Sequence, residues 1–213
     1  MNRLVHVLAA IAVCYISGCT HGATVRPSVS PVAFELIDQK VQASAAVYVY
    51  PELIDHKVTV HPTTYACSAW NFDVEIGDSI RTTVHRVAEA AFKKAYPVSS
   101  LNEAVGSYDV IVAISLLDAN TNIAFHQSFF SATADASAEL NLKVALYDNK
   151  KERLDQFVVG YSSRQTGGAG GFCEGGGQVI DAAFQQCLKN ISIQLAEKLT
   201  RNQRLLSMLQ RKP

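Results

Sequence analysis

The feature that most constrains this fold is a two-residue alternation through residues 132–146. Small and aliphatic side chains occupy the even positions, and polar side chains occupy all but one of the odd positions. The even set is Ala132, Ala134, Ala136, Ala138, Leu140, Leu142, Val144 and Leu146, and the odd set is Thr133, Asp135, Ser137, Glu139, Asn141, Lys143 and Ala145. Successive side chains of a β-strand point to opposite faces of its sheet. The pattern therefore predicts a long strand with one buried face and one face in water.

Further strand signals lie on both sides of this stretch. After it, the polar residues 148–151 predict a hairpin turn, and residues 153–164 predict the returning strand. Before it, residues 109–117 form a dense β-branched run that favours a central strand. Shorter strand candidates lie nearer the N-terminus, at residues 45–50, 57–60 and 70–76.

Two longer segments have the apolar spacing of an amphipathic helix. The first begins after Gly77, with Asp78 as N-cap, and is expected to end at Pro97. The second is expected to run from about Gln178 to about Leu206. Its expected buried stripe is Ile180, Phe184, Cys187, Ile191 and Leu195. This order of elements predicts an α+β two-layer sandwich, with a mostly antiparallel sheet and the two main helices packed on one face.

Composition and motifs argue against several functional classes. The formal net charge is zero, so no bulk positive field attracts nucleic acid, and we expect no nucleic-acid partner. With 48% hydrophobic and 18% charged residues, the chain is typical of a globular protein. It has no Gly-x-Ser-x-Gly elbow and no pair of histidines at the helical spacing that grips a metal ion. We therefore predict no catalytic residue, no metal site and no cofactor, and expect a protein that is not an enzyme.

The N-terminus combines a weakly positive start with an uncharged, mostly apolar stretch that ends at Ile16. That stretch is shorter than the about 20 residues that span a bilayer. The segment Ile16-Ser17-Gly18-Cys19 that closes it resembles the lipobox of bacterial lipoproteins. The resemblance implies that Cys19 becomes the mature N-terminus and carries acyl chains, palmitate among them. An ordinary secretory signal with a chance cysteine is the alternative.

This resemblance divides the chain into three parts. Residues 1–18 are expected to be a signal peptide, residues 19–31 a lipidated tether, and residues 32–213 a single α+β periplasmic domain. The tether is expected because its residues are small, polar and interrupted by Pro27 and Pro31. Thr20 follows the cysteine where a lipoprotein retained at the inner membrane typically carries Asp. The resemblance therefore implies an outer-membrane protein, anchored by its acyl chains and facing the periplasm.

Three cysteines remain in the expected domain, and an oxidising compartment allows two of them to pair. Cys187 falls on the apolar stripe of the second helix, where a small buried thiol is the usual explanation. Cys67 and Cys173 lie in loop-like sequence. We predict a Cys67–Cys173 disulfide and a reduced Cys187.

A glycine-rich run, residues 166–177, contains seven glycines and precedes the second helix. Backbone N–H groups of such a loop can hold an anion at a helix N-terminus, but the Walker and dinucleotide patterns are absent. A flexible connection is the favoured interpretation, with Phe172 and Glu174 as a candidate partner-binding loop. A cluster of N-terminal aromatics, Tyr48, Tyr50, Tyr65, Trp70 and Phe72, is expected mainly in the core, with a binding patch as the alternative.

The lipobox together with this order of elements resembles small periplasmic lipoproteins that place helices on one sheet: transport auxiliary lipoproteins, YajG-type lipoproteins and assembly lipoproteins with a domain similar to the TolB N-terminal domain. The resemblance implies a non-enzymatic accessory protein that supports an envelope complex through protein–protein contacts. The alternative is a periplasmic protein that binds a lipid, a glycan or a peptidoglycan fragment. A third hypothesis is an enzyme whose site has no recognisable sequence motif.

Overall fold

A computed structural model describes residues 21–28, 39–127, 131–171 and 173–211. Its strands are β1 (His21–Val25), β2 (Val41–Val49), β3 (Lys57–Val60), β4 (Trp70–Glu75), β5 (Phe92–Val98), β6 (Val110–Gln127), β7 (Ala132–Asp148) and β8 (Arg153–Gly168). Its helices are α1 (Pro51–Ile54), α2 (Gly77–Ala91), α3 (Leu101–Ala104), α4 (Gly175–Thr200) and α5 (Gln203–Gln210). The expected signal peptide (residues 1–18), Cys19 with its expected acylation, and Phe172 lie outside the described residues.

The larger sheet has five strands in the order β5-β2-β6-β7-β8. The alternating sequence forms β7 as predicted, and its even positions from Ala134 to Leu146 are buried. Strands β6 and β8 pair antiparallel with β7 on its two sides. The polar turn between β7 and β8 closes on Asp148, whose carboxylate accepts hydrogen bonds from the backbone N–H groups of Lys150 and Glu152. This half of the sheet therefore follows directly from local sequence.

The rest of the larger sheet is parallel, so the sheet is mixed, although most of its residue pairs are the antiparallel ones that β7 makes with β6 and β8. Strand β2 runs parallel to both β5 and β6. The first long helix ends at Ala91, and the part of the expected helix from Phe92 up to Pro97 belongs instead to the edge strand β5. Pairing with β2 supplies backbone hydrogen bonds that the local helical pattern does not reveal, and an edge strand tolerates Pro97. The α+β class is confirmed, while the sheet is mixed.

A second sheet, of three strands in the order β1-β4-β3, was not expected. Its strand β1 lies inside the predicted tether, so the assignment of residues 19–31 to a tether is wrong for residues 21–25. The physical reason is tertiary: β1 pairs parallel with β4, and its last residue, Val25, is buried in the main core. A five-residue segment that contains a glycine gives little sequence signal for a strand, so β1 depends on its pairing with β4.

The main core joins both sheets to the two long helices. Its buried side chains come from one face of the larger sheet, from the second sheet, and from α2 and α4, which also contact each other. Ile180, Phe184 and Cys187 of the predicted stripe are buried there. The helix expected to reach Leu206 is interrupted after Thr200, because Asn202 caps a separate helix, α5, by accepting a hydrogen bond from the Leu205 N–H. Side chains from both sheets and both long helices thus form one continuous core.

The two edge strands of the larger sheet, β8 and β5, each carry features that hinder pairing with a further strand. On β8, the Gln194 carboxamide of α4 bonds both backbone groups of Gly160, donating to its carbonyl at 3.0 Å and accepting from its N–H at 3.4 Å. The opposite edge strand, β5, carries exposed Lys93, Lys94 and Pro97. Charged residues and proline are common devices that hinder pairing with another strand.

Gly77 is required where α1 meets the start of α2. A Cβ atom at this position would lie 1.9 Å from the Ile54 carbonyl oxygen and 2.6 Å from that of Leu53. Gly22 of β1 has open space in the same direction. Glycine at position 77 therefore permits a backbone approach that no other residue allows.

We expect Gly77→Ala to lower the free energy of unfolding by about 1–3 kcal/mol or more, because the backbone must shift to relieve the collision. The matched variant Gly22→Ala is expected to stay within about 0.5 kcal/mol of the wild type. Urea denaturation followed by circular dichroism measures both. Equal stability of the two variants would contradict the close approach at Gly77.

Candidate functional site

The Cys67–Cys173 disulfide joins the loop before β4 to the loop before α4. The two Cα atoms are 5.9 Å apart, within the range of about 4.4–6.8 Å typical of disulfides, and the pairing is the one expected from the sequence. Both cysteines have positive φ angles, 64° at Cys67 and 72° at Cys173. The bond therefore fixes two loops that each take an unusual backbone conformation.

The glycine-rich run is largely part of regular structure and not a free connection. Gly167 and Gly168 end β8, and Gly175, Gly176 and Gly177 form the first turn of α4, three residues earlier than expected. A Cβ atom at Gly176 would lie 2.6–2.9 Å from the side chains of Phe125, Phe72 and Ile123. A Cβ atom at Gly175 would lie 2.3 Å from the Gly168 carbonyl oxygen. These glycines let the start of α4 press against the aromatic core and the end of β8.

The candidate partner loop is only partly described. Glu174 is exposed at the N-cap position of α4, without a side-chain capping bond. Its carboxylate lies over Gly170, where a Cβ atom would be 2.6 Å from its Oε1. Phe172 lies outside the described residues, so partner binding by this loop stays a prediction.

Cys187 is buried and free, and its thiol donates a hydrogen bond to the Ala138 carbonyl oxygen at 3.4 Å. Burial raises the pKa of the Cys187 thiol to about 12. The thiolate is the reactive form of cysteine, so this residue is a core side chain and not a nucleophile.

Two carboxylates near β1 have opposite electrostatic environments. Glu75 accepts hydrogen bonds from Lys57 Nζ at 2.7 Å and from Arg26 Nε at 2.8 Å, and these bonds lower its pKa. Asp181 lines a cleft between β1 and α4, where burial raises its pKa although Gln185 donates to its Oδ2 at 2.7 Å. The other oxygen of Asp181 is buried and accepts no hydrogen bond from the described residues.

The outer face of the larger sheet carries a tyrosine patch, which we define as Tyr48, Tyr50, Tyr96, Tyr108 and Tyr147. Strand register puts β2, β5, β6 and β7 residues on this face, because Ala46 is paired with both Tyr96 and Ile111, and Ile111 is paired with Tyr147. The Tyr48 and Tyr50 rings are 4.9 Å apart, and the Tyr96 and Tyr108 rings are 5.7 Å apart. Tyr96 is 43% exposed, and the other four are half-buried.

The predicted aromatic cluster is therefore divided among three environments. Tyr48 and Tyr50 belong to the tyrosine patch, whereas Phe72 is fully buried and stacks between Trp70 and Phe125. Tyr65, in the loop between β3 and β4, is 97% exposed. Sequence reasoning missed the patch because Tyr96, Tyr108 and Tyr147 are distant in the chain and meet only through strand pairing.

Within the described ranges, no group of three or more histidine, cysteine, aspartate or glutamate side chains is placed to hold a metal ion. None of the helices in the described part of the chain has the length and apolar character of a membrane span.

No family model and no curated protein matches this sequence. Among solved structures, the chain is similar to a Xanthomonas campestris protein of family DUF330, with 15% identity and a TM-score of 0.44 over 83% of this chain and 91% of that one. A putative neuraminyllactose-binding hemagglutinin homolog from Helicobacter pylori gives 10% identity and a TM-score of 0.47 over 81% and 92%. A minor lipoprotein from Acinetobacter baumannii gives 6% identity and a TM-score of 0.38 over 77% and 95%. These similarities are too low to assign a function to this chain.

Removing the disulfide is expected to destabilise the domain. The bond closes a loop of 106 residues, and we expect the double variant Cys67→Ser/Cys173→Ser to lose about 2–5 kcal/mol of unfolding free energy. Urea denaturation with and without reductant measures the effect. Reductant should destabilise the wild type and leave the double variant unchanged, and a wild type insensitive to reductant would contradict a stabilising bond.

Replacing Glu75 or Asp181 by its uncharged amide is expected to change the free energy of unfolding in opposite directions. A lowered pKa means that Glu75 contributes stability above its ordinary pKa of 4.5, which is lost as the pH falls through the folded-state value. A raised pKa means that Asp181 disfavours the folded state as the pH rises above its ordinary 3.8 and through the folded-state value. We therefore expect Glu75→Gln to lower and Asp181→Asn to raise stability at about pH 7, with both differences shrinking towards about pH 3. Urea unfolding at both pH values measures this, and effects of the same sign would contradict the assignment.

Proposed function

We propose that this chain is a lipid-anchored accessory protein of the bacterial outer membrane, facing the periplasm, without enzymatic activity, that supports an envelope complex by binding a protein partner. Acylation at Cys19 is supported by the lipobox-like segment 16–19. The Cys67–Cys173 disulfide supports an oxidising compartment, where such bonds persist.

The tyrosine patch is the observation that carries the partner-binding proposal. Tyrosine offers a large contact area with little side-chain entropy to lose, and it is enriched at protein interfaces. Two of the rings, Tyr108 and Tyr147, pack against the buried side chains of Ala46, Ala104 and Ile111. Lys94 and Lys143 lie on the same face by strand register and provide a charged margin. An aromatic centre with a polar rim is the usual anatomy of a protein–protein interface.

The loop at Glu174 and Phe172 is the other candidate surface for a partner. It is separated from the tyrosine patch by the length of β7, because the loop follows β8 at the Ala132 end of that strand and Tyr147 lies near its other end. Variants at the two places therefore test two distinct surfaces.

The membrane anchor is tested by Cys19→Ala. We expect this variant to lack acyl chains and to leave the membrane fraction, because the acyl chains are the proposed attachment. Fractionation of cells with a high-salt wash, together with mass spectrometry of the purified chain, measures both effects. A variant that remains in the membrane pellet without a bound partner would contradict the anchor.

The partner surface is tested by the double variant Tyr48→Ser/Tyr96→Ser. The control is Tyr161→Ser, because Tyr161 is 37% exposed, close to the 43% of Tyr96, and lies outside the patch. Crosslinking in the native envelope is expected to lose its protein adduct in the double variant and to keep it in the control. Circular dichroism checks that both remain folded. If the patch variant keeps the adduct and Glu174→Ala loses it, the partner binds at the loop and not at the tyrosine patch.

A further inference from the structure

The chain leaves almost no tether between Cys19 and the folded domain. Strand β1 begins at His21, so Thr20 is the single residue between the proposed acylated cysteine and the second sheet. Two extended residues span at most about 7 Å. Whatever surface surrounds the start of β1 must therefore lie close to the bilayer when Cys19 is anchored.

Strand β1 is held in place at several points and is not a loose extension. It pairs in register with β4 from His21 opposite Trp70 to Val25 opposite Val74. Val25 is buried, and the next residue, Arg26, forms an ion pair with Glu75 at 2.8 Å. Because β1 is fixed to the rest of the domain, the position of Cys19 next to it limits how the domain can be oriented on the membrane.

Four parts of the chain are linked to one another near the start of β1: the loop between β3 and β4, strand β6, the start of α4, and the open end of the β7–β8 hairpin. The loop between β3 and β4 bonds to β6 through the Thr63 N–H and the Ile123 carbonyl oxygen, at 2.8 Å. The disulfide ties the same loop to the start of α4. The Ala169 N–H after β8 donates to the carbonyl oxygen of Ala132, the first residue of β7, at 2.9 Å.

Much of this end lacks formal charge. We define the uncharged end as residues 58–72, 119–127, 131–134 and 165–171, which contain no Asp, Glu, Lys or Arg although 18% of the chain is charged. The Asp135–Arg164 ion pair and Glu174 lie at its border. The other end of the β7–β8 hairpin carries Asp148, Lys150, Lys151 and Glu152. Because β7 has 17 residues, the two ends are separated by roughly 50 Å at about 3.3 Å per residue.

The uncharged end also presents aromatic side chains. Tyr65 is 97% exposed there, and the partly exposed Trp70 begins β4 opposite His21. Tyrosine and tryptophan are the residues that favour the interface between membrane and water, since each combines an apolar ring with a polar group.

We propose that this uncharged end is a membrane-docking face and that it lies against the lipid bilayer with Tyr65 at the level of the headgroups. The proposal rests on the acylation of Cys19 in the proposed function. It places the tyrosine patch at the end of the domain away from the membrane, where a partner can reach it.

Depth-dependent fluorescence quenching tests this orientation. The acylated protein is reconstituted into phosphatidylcholine vesicles with or without a lipid that carries a nitroxide near its headgroup. A fluorophore is attached through Tyr65→Cys in one sample and through Lys150→Cys in another. The native cysteines do not compete, since Cys67 and Cys173 are bonded, Cys187 is buried and Cys19 is acylated.

We expect strong loss of fluorescence from the label at position 65 and little loss at position 150. Trp70, the single tryptophan of the chain, provides the same measurement without substitution and is also expected to be quenched. Equal quenching at both labels, or stronger quenching at position 150, would overturn the docking face. So would an unquenched Trp70 in the unsubstituted protein.

Mass spectrometry of the reconstituted protein separates the two proposals. An acylated chain that is bound to vesicles but shows no quenching at position 65 overturns the orientation and leaves the anchor intact. A chain that carries no acyl group overturns both. The unacylated Cys19→Ala protein gives the background from random collisions with vesicles.

Discussion

The packing of strand β7 against helix α4 is the contact on which the rest of the structure depends. Ala134, Ala136 and Ala138 are fully or almost fully buried on β7, and such small side chains let the helix come close to the sheet. Further along the strand, the buried positions are taken by the larger Leu140, Leu142, Val144 and Leu146. With β7 covered in this way, β6 and β8 pair on its two sides, and β2 joins through β6. The alternation that defines β7 thus positions most of the larger sheet.

The fold could be predicted from sequence where the signal is local. Strand β7, its turn and the return strand β8 are readable because alternation and turn chemistry lie within one stretch of chain. Strands β1 and β5 were missed because each is short and pairs parallel with a distant strand, so its hydrogen bonds depend on tertiary structure. The glycines at the start of α4 look like a flexible loop in sequence, yet Gly175 and Gly176 are needed for close packing.

The candidate sites were predictable to different degrees for similar reasons. The Cys67–Cys173 pairing followed from the helical position of the third cysteine, which left two cysteines in loops. The tyrosine patch could not be found without strand register, because Ala46 links Tyr96 to the same face as Tyr147 only once β5, β2, β6 and β7 are aligned. Tyr65 was grouped with core aromatics because a single exposed tyrosine has no periodic signal in sequence.

The amide of Gln194 has a consequence for how this protein can assemble. A strand added beside β8 would have to displace this side chain from Gly160, and a strand added beside β5 would meet two lysines and a proline. Continuous growth of the larger sheet from molecule to molecule is therefore disfavoured at both ends. Pairing of strand edges from molecule to molecule is the step by which sheets extend into fibrils, so these two edges oppose fibril formation when copies of the chain are close together.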